Sequence, residues 1–113
     1  MPAKRVLMYE EARRKIAEGA KRLARAVAAT YGPKGGNVVI ERMWGAPRVT
    51  RDGFTVAKEI EFEDAEENLG ARIVRDAIER THEEAGDGTT TACVLTEAML
   101  TEGLKLVAAG YDP

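Results

Sequence analysis

The sequence predicts a mainly α-helical fold with one small β-hairpin. Aromatic residues make up only 5% of the 113 residues and charged residues 32%, a mix that favours amphipathic helices over a β-sandwich or barrel. Apolar residues recur at helical spacing in three long segments, and Gly or Pro residues interrupt the chain between them. A domain of this length buries roughly two-thirds of the surface that its unfolded chain exposes, so we expect a thin core.

The first long helix is predicted from about residue 10 to residue 31. Gly32 and Pro33 should end it, because Gly accepts a left-handed closing conformation and Pro cannot donate the next helical hydrogen bond. A short apolar stretch at residues 6–8 precedes the helix and is predicted to be an edge strand. The predicted buried face of the helix has helical spacing and consists of Ala12, Ile16, Ala20, Leu23 and Val27.

Two β-prone runs follow, at residues 37–40 and 48–50, on either side of the Gly45-Ala46-Pro47 breaker. They predict a small hairpin. Residues 54–60 are predicted to form a short piece that is either helical or extended.

Two more helices are predicted towards the end of the chain. Asp64, with Glu67 three residues later, has the spacing of a capping box, and a second helix should run from there to about Glu84. A third helix should follow residues 85–91 and end before Gly110. The predicted buried positions of these two helices are Leu69, Ile73, Val74, Ala77, Ile78, Val94, Leu95, Ala98, Met99, Leu106 and Val107.

Composition excludes several classes of function. Lys and Arg number 17 against 19 Asp and Glu, so the net charge of -2 gives no global reason to expect a nucleic acid or a membrane as partner. The single Cys93 excludes an intrachain disulfide and a zinc site built from paired cysteines, and it is predicted to be a small buried residue. No apolar run approaches the roughly 20 residues that span a bilayer, and the start lacks the apolar core of a signal peptide. We therefore expect a cytoplasmic protein.

The charges are unevenly placed, with a basic excess in residues 1–25 and an acidic run in residues 59–67. Two interpretations are open. The two segments are either solvated helix faces or complementary surfaces between neighbouring copies of the chain.

Residues 86–91 combine two glycines, a carboxylate and three hydroxyl groups directly before a predicted helix. A helix start presents free N–H groups and a partial positive charge, so this stretch suits a phosphate chain, and Asp87 could hold the Mg²⁺ of a nucleotide. The alternative is an ordinary turn in which Asp87 and the threonines cap the helix. A second glycine-rich turn at residues 30–36 is equally ambiguous alone. The chain has neither a P-loop nor a strand-borne G-x-G-x-x-G motif.

Four motifs in order resemble the GroEL family of bacterial-type chaperonins. They lie at residues 30–40, 45–53, 56–61 and 85–92, and the closing residues 101–110 look similar too. The resemblance covers nearly the whole chain without an apparent insertion. The stretches at residues 37–40 and 45–47 favour the bacterial and organellar group over the archaeal and eukaryotic cytosolic group.

The resemblance implies a partial equatorial domain, over residues 1–113, of a ring-forming ATPase that assists protein folding, with ATP and Mg²⁺ as cofactors. By position, Arg51 matches a residue that reaches the nucleotide phosphates, Asp52 matches a catalytic residue that arranges the hydrolytic water and metal, and Asp87 matches the Mg²⁺ ligand. The remaining positions that match the nucleotide site are Thr30, Tyr31, Gly32, Pro33, Gly88, Thr89, Thr90 and Thr91.

Three positions depart from the family pattern. Arg51 stands where Lys is frequent, Tyr31 replaces an aliphatic residue beside the pocket, and Gly36 replaces an Arg. His82, shortly before residues 86–91, is predicted to be a solvated side chain. Family chains also continue well beyond the position of Pro113 into hinge and substrate-binding domains, through which the co-chaperonin and unfolded clients bind.

The sequence leaves two other functions open. One is a truncated interaction module that folds, or docks on intact chaperonin rings, without turning over nucleotide. The other is a small helical domain with an unrelated binding task, in which the motifs are relics. The apolar helical spacing is compatible equally with these two functions and with the chaperonin ATPase, because it predicts only a hydrophobic core.

Overall fold

The chain folds into four helices and a two-stranded sheet over residues 9–41 and 44–112, which the computed structural model describes. In chain order the elements are α1 (Tyr9–Ala28), β1 (Val38–Ile40), β2 (Arg48–Thr50), α2 (Gly53–Glu59), α3 (Ala65–Ala85) and α4 (Thr89–Ala108). The predicted fold class, mainly helical with a small hairpin, is confirmed. The predicted edge strand at residues 6–8 lies outside the described residues.

Helix α1 buries the face that its apolar spacing predicts. Ala20, Leu23 and Val27 are fully buried. The helix ends three residues earlier than predicted because Thr30 bonds twice to the Val27 carbonyl oxygen, from its backbone N–H at 3.1 Å and from its hydroxyl at 2.7 Å. Bonds to a carbonyl three residues back tighten the last turn and stop the α-helix.

Helices α1 and α3 cross with their backbones in contact. A Cβ atom on Gly70 would lie 2.0 Å from the carbonyl oxygen of Ile16, and one on Gly19 would lie 1.7 Å from the carbonyl oxygen of Glu67. Glycine is required at both positions because only a residue without a side chain allows so close an approach.

Ion pairs flank this crossing and join the basic α1 to the acidic start of α3. Lys15 pairs with Asp64, and Arg22 pairs with Glu67 at 2.9 Å. Asp64 is the N-cap of α3, as predicted, and accepts from two backbone N–H groups. The hydrogen bond from Lys15, together with the bond from the Glu67 N–H, holds the pKa of Asp64 well below its usual range. Part of the charge asymmetry is therefore satisfied within the chain.

The hairpin forms where it was predicted, and it leads into α2. Its strands are antiparallel, with Val39 opposite Val49. Residues 54–60, predicted as helical or extended, are helical over most of their length because Asp52 caps α2. Arg75 of α3 holds the far end of α2 by donating to the carbonyl oxygens of Ala57, at 2.8 Å, and Ile60.

Seven of the predicted core positions are wrong. The large residues among them are between 41% and 68% exposed, whereas Cys93 of α4 is fully buried as expected. Helix α4 is apolar around most of its circumference, and only a narrow face packs on α1 and α3, so the apolar pattern does not reveal which side is buried. The exposed positions are Leu69, Ile73, Val94, Leu95, Ala98, Met99 and Leu106. Even so, no helix in the described part of the chain is both long and apolar enough to cross a membrane.

Candidate functional site

The first part of the candidate site is the turn after α1. Gly32 takes a positive φ of 78°, and the N–H of Gly36 donates to the carbonyl oxygen of Ala29 at 2.8 Å, which folds the turn back on the helix end. Thr30 is buried, while Tyr31 is 65% exposed. The turn therefore fixes a buried hydroxyl and presents an aromatic ring to solvent.

The second part is the segment after β2. Arg51 donates from Nη2 to the carbonyl oxygen of Gly32 at 3.2 Å, which joins this segment to the first turn. Asp52 accepts two bonds from Thr55 at Oδ2, from the hydroxyl at 2.6 Å and from the backbone N–H at 3.2 Å. The hydroxyl bond from Thr55 is the largest cause that lowers the pKa of Asp52, and slight burial opposes it. Asp52 is thus an oriented, ionised carboxylate at neutral pH.

Gly53 marks the point where three elements meet. A Cβ atom there would lie 3.1 Å from Oγ1 of Thr90, 3.2 Å from Oγ1 of Thr30 and 3.3 Å from Cγ1 of Val27. The end of α1, the start of α2 and the start of α4 consequently converge on one buried glycine. Two threonine hydroxyls from distant parts of the sequence face the same small space.

The third part is the turn between α3 and α4. Gly86 closes α3 with a φ of 69°, and Gly88, with a φ of 79°, is the N-cap of α4. No side chain makes a cap bond to this described helix start, and the Asp87 carboxylate instead accepts from the N–H of Gly88 at 2.7 Å. The first N–H groups of a helix have no partner within the helix. Capping by Asp87 and the threonines, which the alternative of an ordinary turn expected, is therefore not seen at this helix start.

A contact that no sequence pattern predicts connects the second and third parts. The rings of Phe54 and His82 are stacked, with centroids 3.9 Å apart and an interplanar angle of 13°. His82 is exposed, as predicted for a solvated side chain, but it is also a packing residue. No spacing rule connects two residues so far apart in sequence. By contrast, Asp52 and Thr55 have ordinary capping spacing, which does predict their contact.

The oxygen donors of the site suit a hard cation only in part. Within residues 9–41 and 44–112 no three His, Cys, Asp or Glu side chains group closely enough to hold a metal ion. Asp87 offers an exposed carboxylate, and the threonines offer hydroxyl oxygens. Mg²⁺ commonly binds through one or two carboxylates together with substrate phosphates. The residues present therefore fit Mg²⁺ that arrives with a nucleotide, rather than a metal held by protein alone.

Comparison with known proteins identifies the family. The sequence model of the TCP-1/cpn60 chaperonin family matches residues 23–113. The chain belongs to this family. All the predicted site residues lie within the matched range.

Solved chaperonin structures share the fold. The chaperonin gp146 of bacteriophage EL (Pseudomonas aeruginosa), crystallised in the presence of ATP-BeFx, is 37% identical with a TM-score of 0.72, over 80% of this chain and 16% of that one. A group III chaperonin in the open state is 32% identical with a TM-score of 0.75, over 90% of this chain and 20% of that one. The chain therefore spans between a sixth and a fifth of the length of these chaperonins.

Proposed function

We propose that this chain is the first part of the equatorial, ATP-binding domain of a bacterial-type chaperonin, and that it supplies one side of the Mg-ATP site. The observation that carries the proposal is the convergence at Gly53. Three segments that match family motifs bring Thr30, Gly53 and Thr90 within contact distance, although up to 60 positions separate them in sequence.

The start of α4 would bind the phosphates. Its free N–H groups and partial positive charge favour an anion, and Gly88 allows close approach of the backbone. Hydroxyl groups of Thr89, Thr90 and Thr91 would add donors. Asp87 is exposed and would hold Mg²⁺, which on binding with the nucleotide would neutralise charge on the phosphate oxygens.

Arg51 and Asp52 would serve the reacting end of the nucleotide. Arg51 already reaches across to Gly32, so its guanidinium lies beside the first turn and can donate to a phosphate bound there. Asp52 is ionised and held by Thr55, so it can accept a hydrogen bond from the attacking water and orient it. Tyr31 and Pro33 would line the nucleotide pocket from the turn after α1.

Hydrolysis would require more than these residues. Phosphoryl transfer depends on the complete positioning of water, metal and phosphates, so we expect one side of the site to bind nucleotide without efficient turnover. In this proposal the activity belongs to a cytoplasmic ring of complete subunits, whose hinge and substrate-binding domains contact the co-chaperonin and unfolded clients.

Calorimetric titration with ATP, with and without Mg²⁺, tests the proposal on the 113-residue chain. We expect Mg²⁺-dependent binding that is weakened at least about tenfold, or about 1.4 kcal/mol, by Asp87→Ala. Asp76→Ala, which removes an exposed carboxylate from the middle of α3, is the matched control and should bind like the wild type.

Two results would contradict the proposal. A folded chain that binds no nucleotide would exclude a preformed half-site. Wild-type ATP turnover by an assembled chaperonin that carries Asp87→Ala would exclude the assignment of the metal ligand.

The exposed face of α4 favours a second candidate function, a module that docks on other protein without turning over nucleotide. Leu95, Met99 and Leu106 are each more than half exposed, and contiguous exposed apolar surface marks protein contacts. Size-exclusion chromatography with mass measurement, alone and with intact chaperonin rings, tests this candidate. A monomer that does not bind rings would count against it.

A further inference from the structure

Helix α3 holds α2 at two points. Near the end of α2, Arg75 donates to the carbonyl oxygens of Ala57 and Ile60. In the first turn of α2, Phe54 is stacked on the ring of His82 at 3.9 Å. Positions 75 and 82 are two helical turns apart and therefore lie on the same face of α3.

His82 is also tied to the turn that carries Asp87. Its carbonyl oxygen accepts the N–H of Gly86 at 2.9 Å, the bond that closes α3. Asp87 is the next residue. A single residue thus contacts the Asp52 segment through its ring and the Asp87 turn through its backbone.

The His82 side of the stack lies outside the buried core. Phe54 is half-buried and packs against the core of residues such as Val56 and Ile78, whereas His82 is exposed, so the His82 ring itself adds little to the core. Stacked rings do constrain relative orientation, because offset-stacked and edge-to-face arrangements are favoured over others. The ammonium group of Lys58 also lies 5.3 Å from the centroid of the Phe54 ring, which further restricts that ring.

Phe54 and His82 also influence the Asp52 carboxylate. The Thr55 hydroxyl is the largest cause that lowers the pKa of Asp52, and the backbone N–H of Phe54 and, last and smallest, the nearby His82 act in the same direction. This agrees with the geometry, because the imidazole is stacked on Phe54 and Phe54 is only two residues after Asp52 in the chain.

We propose that His82 is a positioning residue for ATP hydrolysis, whose stack on Phe54 sets the placement of Asp52 relative to Asp87. It touches neither nucleotide nor water in this role. The inference rests on the proposed function, since it assumes that both aspartates serve one nucleotide site.

The test is steady-state ATP hydrolysis by assembled chaperonin that contains this chain, isolated by size exclusion before assay. His82→Ala should lower kcat by about 10-fold to 100-fold while KM changes less than about 3-fold, because misplacement by about 1 Å affects the reaction more than ground-state binding. His82→Phe should restore most of kcat, since it keeps an aromatic face. His82→Leu, which has similar bulk but no aromatic ring, should not restore kcat.

A matched control and a second variant complete the design. Glu84→Ala removes an exposed side chain from the same last turn of α3 and should leave kcat unchanged. Phe54→Leu should reproduce the effect of His82→Ala, so the inference stays testable if one variant fails to assemble.

The outcomes separate this inference from the proposed function. If Asp87→Ala abolishes hydrolysis but His82→Ala and Phe54→Leu both keep wild-type kcat, the inference is overturned and the proposed function stands. If His82→Leu rescues as well as His82→Phe, bulk rather than stacking is responsible, and the inference is again overturned. If Asp87→Ala also hydrolyses normally, both proposals fail.

Discussion

Replacement of Gly70 by Ala should destabilise the fold, although alanine is the better helix former. The new Cβ atom would lie 2.0 Å from the carbonyl oxygen of Ile16, whereas ordinary contacts begin near 3.4 Å. The obstacle is backbone on a packed helix and cannot rotate away. Helices α1 and α3 must therefore move apart by roughly 1 to 1.5 Å, which loosens a core packed at crystal-like density.

The magnitude follows from two opposing effects. Overpacking of a rigid core costs about 1–3 kcal/mol and occasionally more. Because the new Cβ atom at position 70 would meet backbone, we expect a cost at the upper end of this range. Alanine gains about 1 kcal/mol over glycine within a helix. We therefore expect a net loss of about 2 kcal/mol or more, a large part of the total of about 5–15 kcal/mol that holds most domains folded.

Urea unfolding followed by far-ultraviolet circular dichroism measures this change. Gly103→Ala is the matched control, because Gly103 is also inside a helix but has nothing within 4 Å of its Cβ position. It should stabilise the chain by about 0.5–1 kcal/mol, from helix propensity alone. If Gly70→Ala were as stable as the wild type, or shifted stability in the same direction as the control, the backbone contact between α1 and α3 would be refuted.

Three further predictions concern single side chains. Because the folded pKa of Asp64 lies below its unfolded value near 3.8, the stabilising charge is fully present above about pH 5 and is lost as the pH falls through the folded pKa. The urea midpoint of the wild type should therefore fall below pH 4 more steeply than that of Asp64→Asn, and parallel profiles would contradict the ion pair with Lys15. Burial, with a smaller effect of the Glu97 charge, raises the pKa of Cys93 to about 12. A disulfide reagent at about pH 8 should therefore react with Cys93 more slowly in the folded chain than in the unfolded chain, by a factor of roughly 100 or more. Equal rates would contradict the burial of Cys93. Gly53→Ala should weaken Mg-ATP binding by roughly tenfold in calorimetry, whereas Gly36→Ala, with open space around its Cβ position, should not.

Local patterns predicted those parts of the fold that local interactions decide. The stripe of α1, the Asp64 cap and the glycines that end α3 and α4 each depend on residues within a few positions of one another. The hairpin is similar, because its two strands lie on either side of a single breaker. These features need no knowledge of tertiary contacts.

The errors arise where a choice between faces depends on distant partners. Leu69 and Ile73 continue the helical stripe of α3, yet Gly70 and Val74 face α1, which rotates those two residues to the surface. On α4 an apolar pattern around most of the helix gives no preferred side. Periodicity identifies a helix reliably but cannot show which of several apolar faces finds a partner.

The candidate site shows the same division. The glycine-rich turns and Asp87 are visible in the sequence because each is a local signal for a turn or a helix start. Their convergence at Gly53 is not visible, since Thr30 and Thr90 are 60 positions apart. In the sequence, only the family resemblance places the turn after α1 and the turn before α4 in one nucleotide site. The Phe54–His82 stack had no signal of either kind.

The helix crossing and the site have a common cause. Thr30 follows the end of α1 and Asp87 follows the end of α3, while the two helices are held together at Gly19 and Gly70. From Gly70 to the end of α3 is about 22 Å at 1.5 Å per residue, so a small change of angle at the crossing moves the Asp87 turn by a larger distance. The glycines that allow close packing thus also fix where the two turns meet. A substitution that separates the helices should weaken nucleotide binding even though it lies far from the nucleotide.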